Sequence, residues 1–182
     1  MIAYKAFEQG RVCLGYQFSM GMNRTDKANC RQNGFHCAEN PLDCLTYYPD
    51  MDQSEYYIVD AGGDIDEDGW DSKISCTELT VLKKLTHRDF FLHGLAYMAD
   101  HPLREWNRHV KKDRAEAVCG YVVVRGTDPV AKGQAGDILA LAKEDTDTGV
   151  VKQIALTVVD GVEVMPDKWY DVNLKERQVM ML

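Results

Sequence analysis

Asp64, Asp66 and Asp68 place carboxylates at alternate positions and run into Gly69. Such spacing can point several oxygens at one hard cation, with glycine allowing the sharp turn of a calcium loop. The second half of the pattern does not follow. Ser75 stands where a bidentate Glu is required, and Asp71 where an aliphatic residue is usual. The segment therefore reads as a solvated acidic turn, and no metal site is expected. The six cysteines, Cys13, Cys30, Cys37, Cys44, Cys76 and Cys119, lack the close pairing of a zinc knuckle. They read as free, mostly buried thiols, since Cys packs as a small apolar residue. His93, His101 and His109 recur every eight residues, but Pro102 breaks the register a metal stripe would need. Neither a Gly-rich phosphate loop nor a Gly-x-Ser-x-Gly elbow is present.

The elements that would position these residues change character along the chain. Ala3–Phe7, Phe35–Ala38, Glu55–Asp60 and Ile74–Leu82 have strand composition. Asn40-Pro41 fits a helix start, with Asn40 as cap and Pro41 at the first helical position. Thr86 opens a helix in which Phe91, Leu95 and Met98 form an i, i+4, i+7 stripe. Leu103, Trp106 and Val110 repeat that spacing and predict a second helix, with a charged tail from Arg108 to Glu116. Beyond Ala117, Val-rich runs punctuated by glycine predict strands, and Asp160-Gly161 predicts a two-residue hairpin turn. The expected fold class is α+β. Residues 1–115 form a mixed module, with its core in 1–85 and connecting helices in 86–115, and 116–182 form a β-rich module.

Composition narrows the function classes. The 182 residues are 45% hydrophobic and carry a net charge of −8. That length can bury a core without disulfides or metal. The acidic balance argues against general affinity for nucleic acid or anionic membrane, both of which need a basic face. No apolar run reaches a membrane span of about 20 residues, and the start lacks the basic and apolar regions of a secretory signal. A cytoplasmic location is expected, that of the host cell for a phage-encoded chain.

Two resemblances add to this reading. Tyr4-Lys5, Gly15-Tyr-Gln-Phe18, Asn33-Gly-Phe-His-Cys-Ala-Glu-Asn-Pro-Leu-Asp-Cys44 and Tyr47-Tyr48-Pro49 resemble a family of uncharacterised phage and prophage proteins. Gly133 to Leu141, Val159-Asp-Gly161 and Pro166-Asp-Lys-Trp-Tyr170 are similar to the end of its longer members. Those members carry Gly/Ala-rich repeats between the two ends, and this chain is a short form lacking them.

The first half also resembles ADP-ribosyltransferases, which hold NAD in a split pocket. Tyr4-Lys5 resembles their first-strand motif, though His or Arg is usual where Lys5 stands. Gly34-Phe-His-Cys-Ala38 resembles the strand that stacks nicotinamide, with His36 where Tyr is usual, and Tyr47 or Tyr48 would end the following helix. Tyr56-Tyr-Ile-Val-Asp-Ala-Gly-Gly63 resembles the next strand, and Thr77-Glu78-Leu-Thr-Val81 the strand bearing the catalytic Glu. The resemblance implies NAD as co-substrate, Tyr4, Lys5, His36, Tyr47 and Tyr48 as its binding residues, and Glu78 as the catalytic carboxylate acting on a host protein. An imidazole can stack as a phenol does, and a carboxylate facing a developing cation stabilises it electrostatically. Two other readings stand beside it: a non-catalytic acidic module for counter-defence or host takeover, using Asp64, Asp66, Glu67 and Asp68, and a virion or assembly component.

Overall fold

A computed structural model describes residues 1–67, 69 and 71–179. The chain divides into two compact units, Met1–Phe90 and Phe91–Leu182. Half of the residues lie in strands and 11% in helices, arranged as two sheets. This corrects the α+β expectation: the fold is β-rich, and no helical connection spans 86–115. Residue 115, the expected boundary, lies inside a strand.

The first unit is built from seven strands: β1 (Ile2–Glu8), β2 (Val12–Cys13), β3 (Tyr16–Gln17), β4 (Gly21–Arg24), β5 (Phe35–Ala38), β6 (Ser54–Glu67) and β7 (Lys73–Leu85). β1 pairs antiparallel with β6 along its whole length, and Tyr4 also pairs with Ala38 of β5. β7 pairs with both β5 and β6, so these four strands close a circuit. Register shifts between Ile58 and Val59 and between Gly62 and Ile65 bend β6, the device by which bulges curve a sheet. The bend turns Phe7, Phe35, Val59, Ile74, Leu79 and Val81 into one buried core. Phe18 packs on Phe7 and on Phe35 at centroid separations of 5.0 and 4.9 Å. Each such pair contributes about 0.5–1.5 kcal/mol beyond its buried area.

A 3-10 helix (Pro41–Thr46) crosses from β5 toward β6. It starts as its sequence predicts: Asn40 is extended at the cap, and its side chain accepts from Leu42 N at 3.1 Å. The α-helix α1 (His87–Asp100) also starts as expected, with Asp89 N donating to Thr86 Oγ1 at 3.1 Å. Among the described residues no helix is long and apolar enough to cross a membrane.

The second unit departs more from the sequence reading. Its strands are β8 (Val110–Glu116), β9 (Tyr121–Lys132), β10 (Ile138–Glu144), β11 (Val151–Val158), β12 (Trp169–Asp171) and β13 (Glu176–Arg177). The segment expected as a second helix with a charged tail contains β8, which runs parallel to β9. Helical spacing of Leu103, Trp106 and Val110 misled because Leu103 faces solvent and only Val110 is buried. Backbone pairing with β9 outweighs helix propensity there, and edge strands tolerate many charges. Asp160-Gly161 turns the chain, but Val162–Met165 is not a strand. The Asp160 carboxylate instead accepts from the N–H groups of Val162, Glu163 and Val164, a turn stabilised by an aspartate side chain.

Candidate functional site

A cavity of about 340 Å³ opens in the first unit between β1, β5, the β2 end and the 3-10 helix. Its wall includes Tyr4, Lys5, His36, Tyr47 and Tyr48, so five of the six residues chosen from sequence line one space. Strand geometry explains part of this. Tyr4 pairs with Ala38, which shares a face with His36, because residues two apart point the same way. The 3-10 helix brings Tyr47 and Tyr48 over that face. It is pinned by Asp43, whose Oδ2 accepts from Ser72 N at 3.0 Å and Ser72 Oγ at 2.6 Å, and by Asn40 N donating to Ser72 Oγ at 2.8 Å. The carbonyl of Tyr48 is fixed by the Tyr56 hydroxyl at 2.6 Å.

Lys5 is the cavity's unusual residue. It is only 4% exposed, yet the described residues offer it no carboxylate within ion-pair distance. Its Nζ donates to the His36 carbonyl at 2.6 Å and to Cys13 Sγ at 3.7 Å, and lies 5.1 Å from the ring centroids of both Phe7 and Phe18. Cation–π attraction to two rings offsets part of its desolvation. His36 Nε2 accepts from Arg31 N at 3.0 Å, which places the proton of a neutral ring on Nδ1. Tyr48 donates to Cys13 Sγ at 3.2 Å, and Tyr47 donates to Asp71 Oδ2 at 3.3 Å while Lys73 Nζ sits 4.1 Å from its ring.

Burial sets the ionisation of the wall. It holds the phenols of Tyr4 and Tyr48 above their usual range, for Tyr48 with help from its bond to Cys13. It pushes the Cys44 thiol up to about 12. A hydrogen bond to Cys76, together with burial, holds the Cys37 thiol well above its usual value. The cavity thus places phenol and thiol side chains beside Lys5, Lys73, Glu8 and Asp43.

Glu78 is not part of that wall. It lies in β7 opposite Gly62 and Arg24, and its Oε1 forms an ion pair with Arg24 Nε at 3.1 Å. The strand carries it five residues beyond Lys73, the only β7 residue that lines the cavity. Sequence reasoning missed Cys13, Cys44 and Lys73 as lining residues. The signal for Cys44 was its place on the short helix that leads into Tyr47 and Tyr48; nothing local marks Cys13 or Lys73.

The acidic segment is a strand where it was read as a turn. Asp64, Asp66 and Glu67 are exposed in β6, Asp66 Oδ2 accepts from Cys30 N at 2.7 Å, and Asp68 lies outside the described residues. Among the described residues no group of three or more His, Cys, Asp or Glu is placed to hold a metal ion. All six cysteines are free thiols, three of them buried.

A family model described as a domain of unknown function (DUF7666) matches residues 1–93, just over half of the chain. No curated protein and no solved structure matches it.

Proposed function

The chain belongs to the DUF7666 family through residues 1–93, and we propose that this region is a ligand-binding unit whose cavity takes the nicotinamide half of NAD. One observation carries the reading. Tyr4, Lys5, His36, Tyr47 and Tyr48 come from three separate stretches of the sequence and line a single cavity. Its volume sits at the lower end of small-molecule pockets, roughly 300–1,000 Å³, suited to one end of a dinucleotide. Aromatic walls supply stacking surface for a flat heterocycle, and the lysines supply charge toward ribose or phosphate oxygens. Binding is the core of the proposal. Glu78, outside the wall, acts on bound NAD only if the ligand extends beyond the cavity.

Isothermal titration with NAD and nicotinamide mononucleotide tests it. Saturable heat is expected with both. His36→Ala should weaken binding about tenfold, a loss of about 1.4 kcal/mol, whereas His36→Phe, which keeps a ring, should retain most of it. Glu78→Gln should bind as the parent does. No heat from either ligand removes the reading. Labelled NAD incubated with host lysate then probes transfer: labelled protein with the parent and none with Glu78→Gln would give Glu78 the catalytic role implied by the ADP-ribosyltransferase resemblance.

The acidic-module reading rests on the exposed run Asp64, Asp66 and Glu67 along β6 and on the net charge of −8. In that reading a phage-encoded chain covers a basic face of a host protein. Capture that collapses between 50 and 200 mM salt, about a halving of the screening length, and that is lost in the Asp64→Asn/Asp66→Asn double variant is its expected signature.

A further inference from the structure

We propose that Cys13 is the nucleophilic thiol of this cavity, a site where a small, soft carbon electrophile is captured covalently. The inference rests on the reading that the cavity admits small molecules, and not on nicotinamide being the one admitted.

Three thiols line the space, and they differ in access. Cys37 and Cys44 are 5% and 6% exposed, whereas Cys13 is half-buried. Access and an electropositive setting together mark reactive cysteines, while buried apolar ones are inert. The setting of Cys13 is built by two donors from separate elements. Lys5 Nζ of β1 lies 3.7 Å from Sγ, and the Tyr48 hydroxyl, beyond the 3-10 helix, lies 3.2 Å from it. Both groups direct positive charge or an O–H at the sulfur, so negative charge developing there is stabilised from two sides.

Lys5 adds an independent reason. A buried ammonium without an acidic partner is costly. Its neighbours are one carbonyl, two aromatic rings and the sulfur of Cys13. Of these, only the sulfur can take a full negative charge. Tyr48, held protonated by burial and by this same bond, remains a donor throughout. Phe7 and Phe18 hold the Lys5 Nζ at 5.1 Å from each ring centroid, and Cys13 itself lines the cavity.

With iodoacetamide as the probe, Sγ attacks the methylene carbon. The S–C bond forms, the C–I bond breaks, iodide leaves with the bonding pair, and the thiol proton passes to water.

The test is a set of short iodoacetamide pulses on the native full chain, with alkylation at each cysteine read by peptide mass spectrometry. Cys119, exposed and in the other unit, is the internal reference. Cys13 is expected to react about tenfold faster than Cys119, the direction a cationic neighbour imposes on a thiol. Tyr48→Phe and Lys5→Met should each bring Cys13 toward the Cys119 rate without altering Cys119. Circular dichroism identifies a Lys5→Met chain that fails to fold, in which case Tyr48→Phe alone decides. Cys13 reacting no faster than Cys119, or an unchanged ratio in Tyr48→Phe, overturns the proposal. A parallel arm adds NAD before the pulse. Slower alkylation of Cys13 supports both readings, while fast alkylation indifferent to NAD supports the thiol and counts against nicotinamide.

Discussion

Glu55 shows how one carboxylate can be buried at the edge of a core and still carry its charge. It is 8% exposed, and Lys84 Nζ meets its Oε1 at 2.6 Å, with Arg11 N and the Tyr57 hydroxyl at 3.1 and 3.4 Å from Oε2. Burial alone would raise its pKa, but the Lys84 bond and charge, with Arg11 and Tyr57, bring it below the usual carboxylate range. The folded carboxylate is therefore the stronger acid. Its stabilisation is present above the unfolded value of about 4.3 and is lost as pH falls through the lower folded value. Glu55→Gln should flatten the acid limb of urea-unfolding stability between about pH 5 and 3; an unchanged limb would separate Glu55 from acid unfolding. No local sequence signal identified this residue, because Lys84 and Arg11 come from 29 and 44 positions away. Tyr4, Lys5 and His36 were singled out by the resemblance to ADP-ribosyltransferases, on strands that composition also announces.

At the level of elements, β5 depends on the glycine before it. Gly34 has φ +89°, and a Cβ there would meet Ser75 Oγ, with Ala28 Cα at 2.9 Å and Lys27 O at 3.0 Å. Two of those three are backbone and cannot rotate away. Gly34→Ala should cost at least about 2 kcal/mol in chemical denaturation, combining left-handed strain with overpacking. Gly10→Ala is the comparison: φ is +77° with nothing within 4 Å, so only the conformational cost of about 1 kcal/mol applies. Equal losses would show that crowding around β5 is unimportant. Because β5 carries His36, Gly34→Ala should also weaken ligand binding, whereas Gly10→Ala should not. Asn33-Gly34 was legible as a turn from sequence, as were β1, β5 and the helix starts at Asn40 and Thr86. β8 was not, because the pattern of residues 103–116 is set by the strand it pairs with and not by its own periodicity.

For the molecule as a whole, each unit contains a hydrophobic cluster of its own among the described residues, and damage to one is expected to leave the other's chemistry intact. Arg125 is the sharpest probe. It is 1% exposed, its Nε pairs with Glu144 at 2.7 Å, Nη2 donates to the carbonyls of Pro102 and Gly149 at 2.8 and 2.7 Å, and the guanidinium lies 4.8 Å from the Trp106 ring. Removing one partner strands the other, so Arg125→Met should cost about 3–5 kcal/mol in the second unit's unfolding. Ligand affinity of the first unit, measured below that transition, should be unchanged; a parallel loss of affinity would show that the units are coupled. By itself the sequence determined several of the extended segments, where the main helices begin and the acidic net charge, which follow from local propensity, turn chemistry and composition; the aromatic and basic residues later found around one cavity came from the resemblance to ADP-ribosyltransferases. Only the tertiary structure decided that the fold is β-rich, that β1 and β7 close a circuit through β5 and β6, that Glu78 lies outside the cavity wall, and that Cys13 joins it. Strand partnership and register arise from contacts between residues remote in the chain, and no short window of sequence contains both partners.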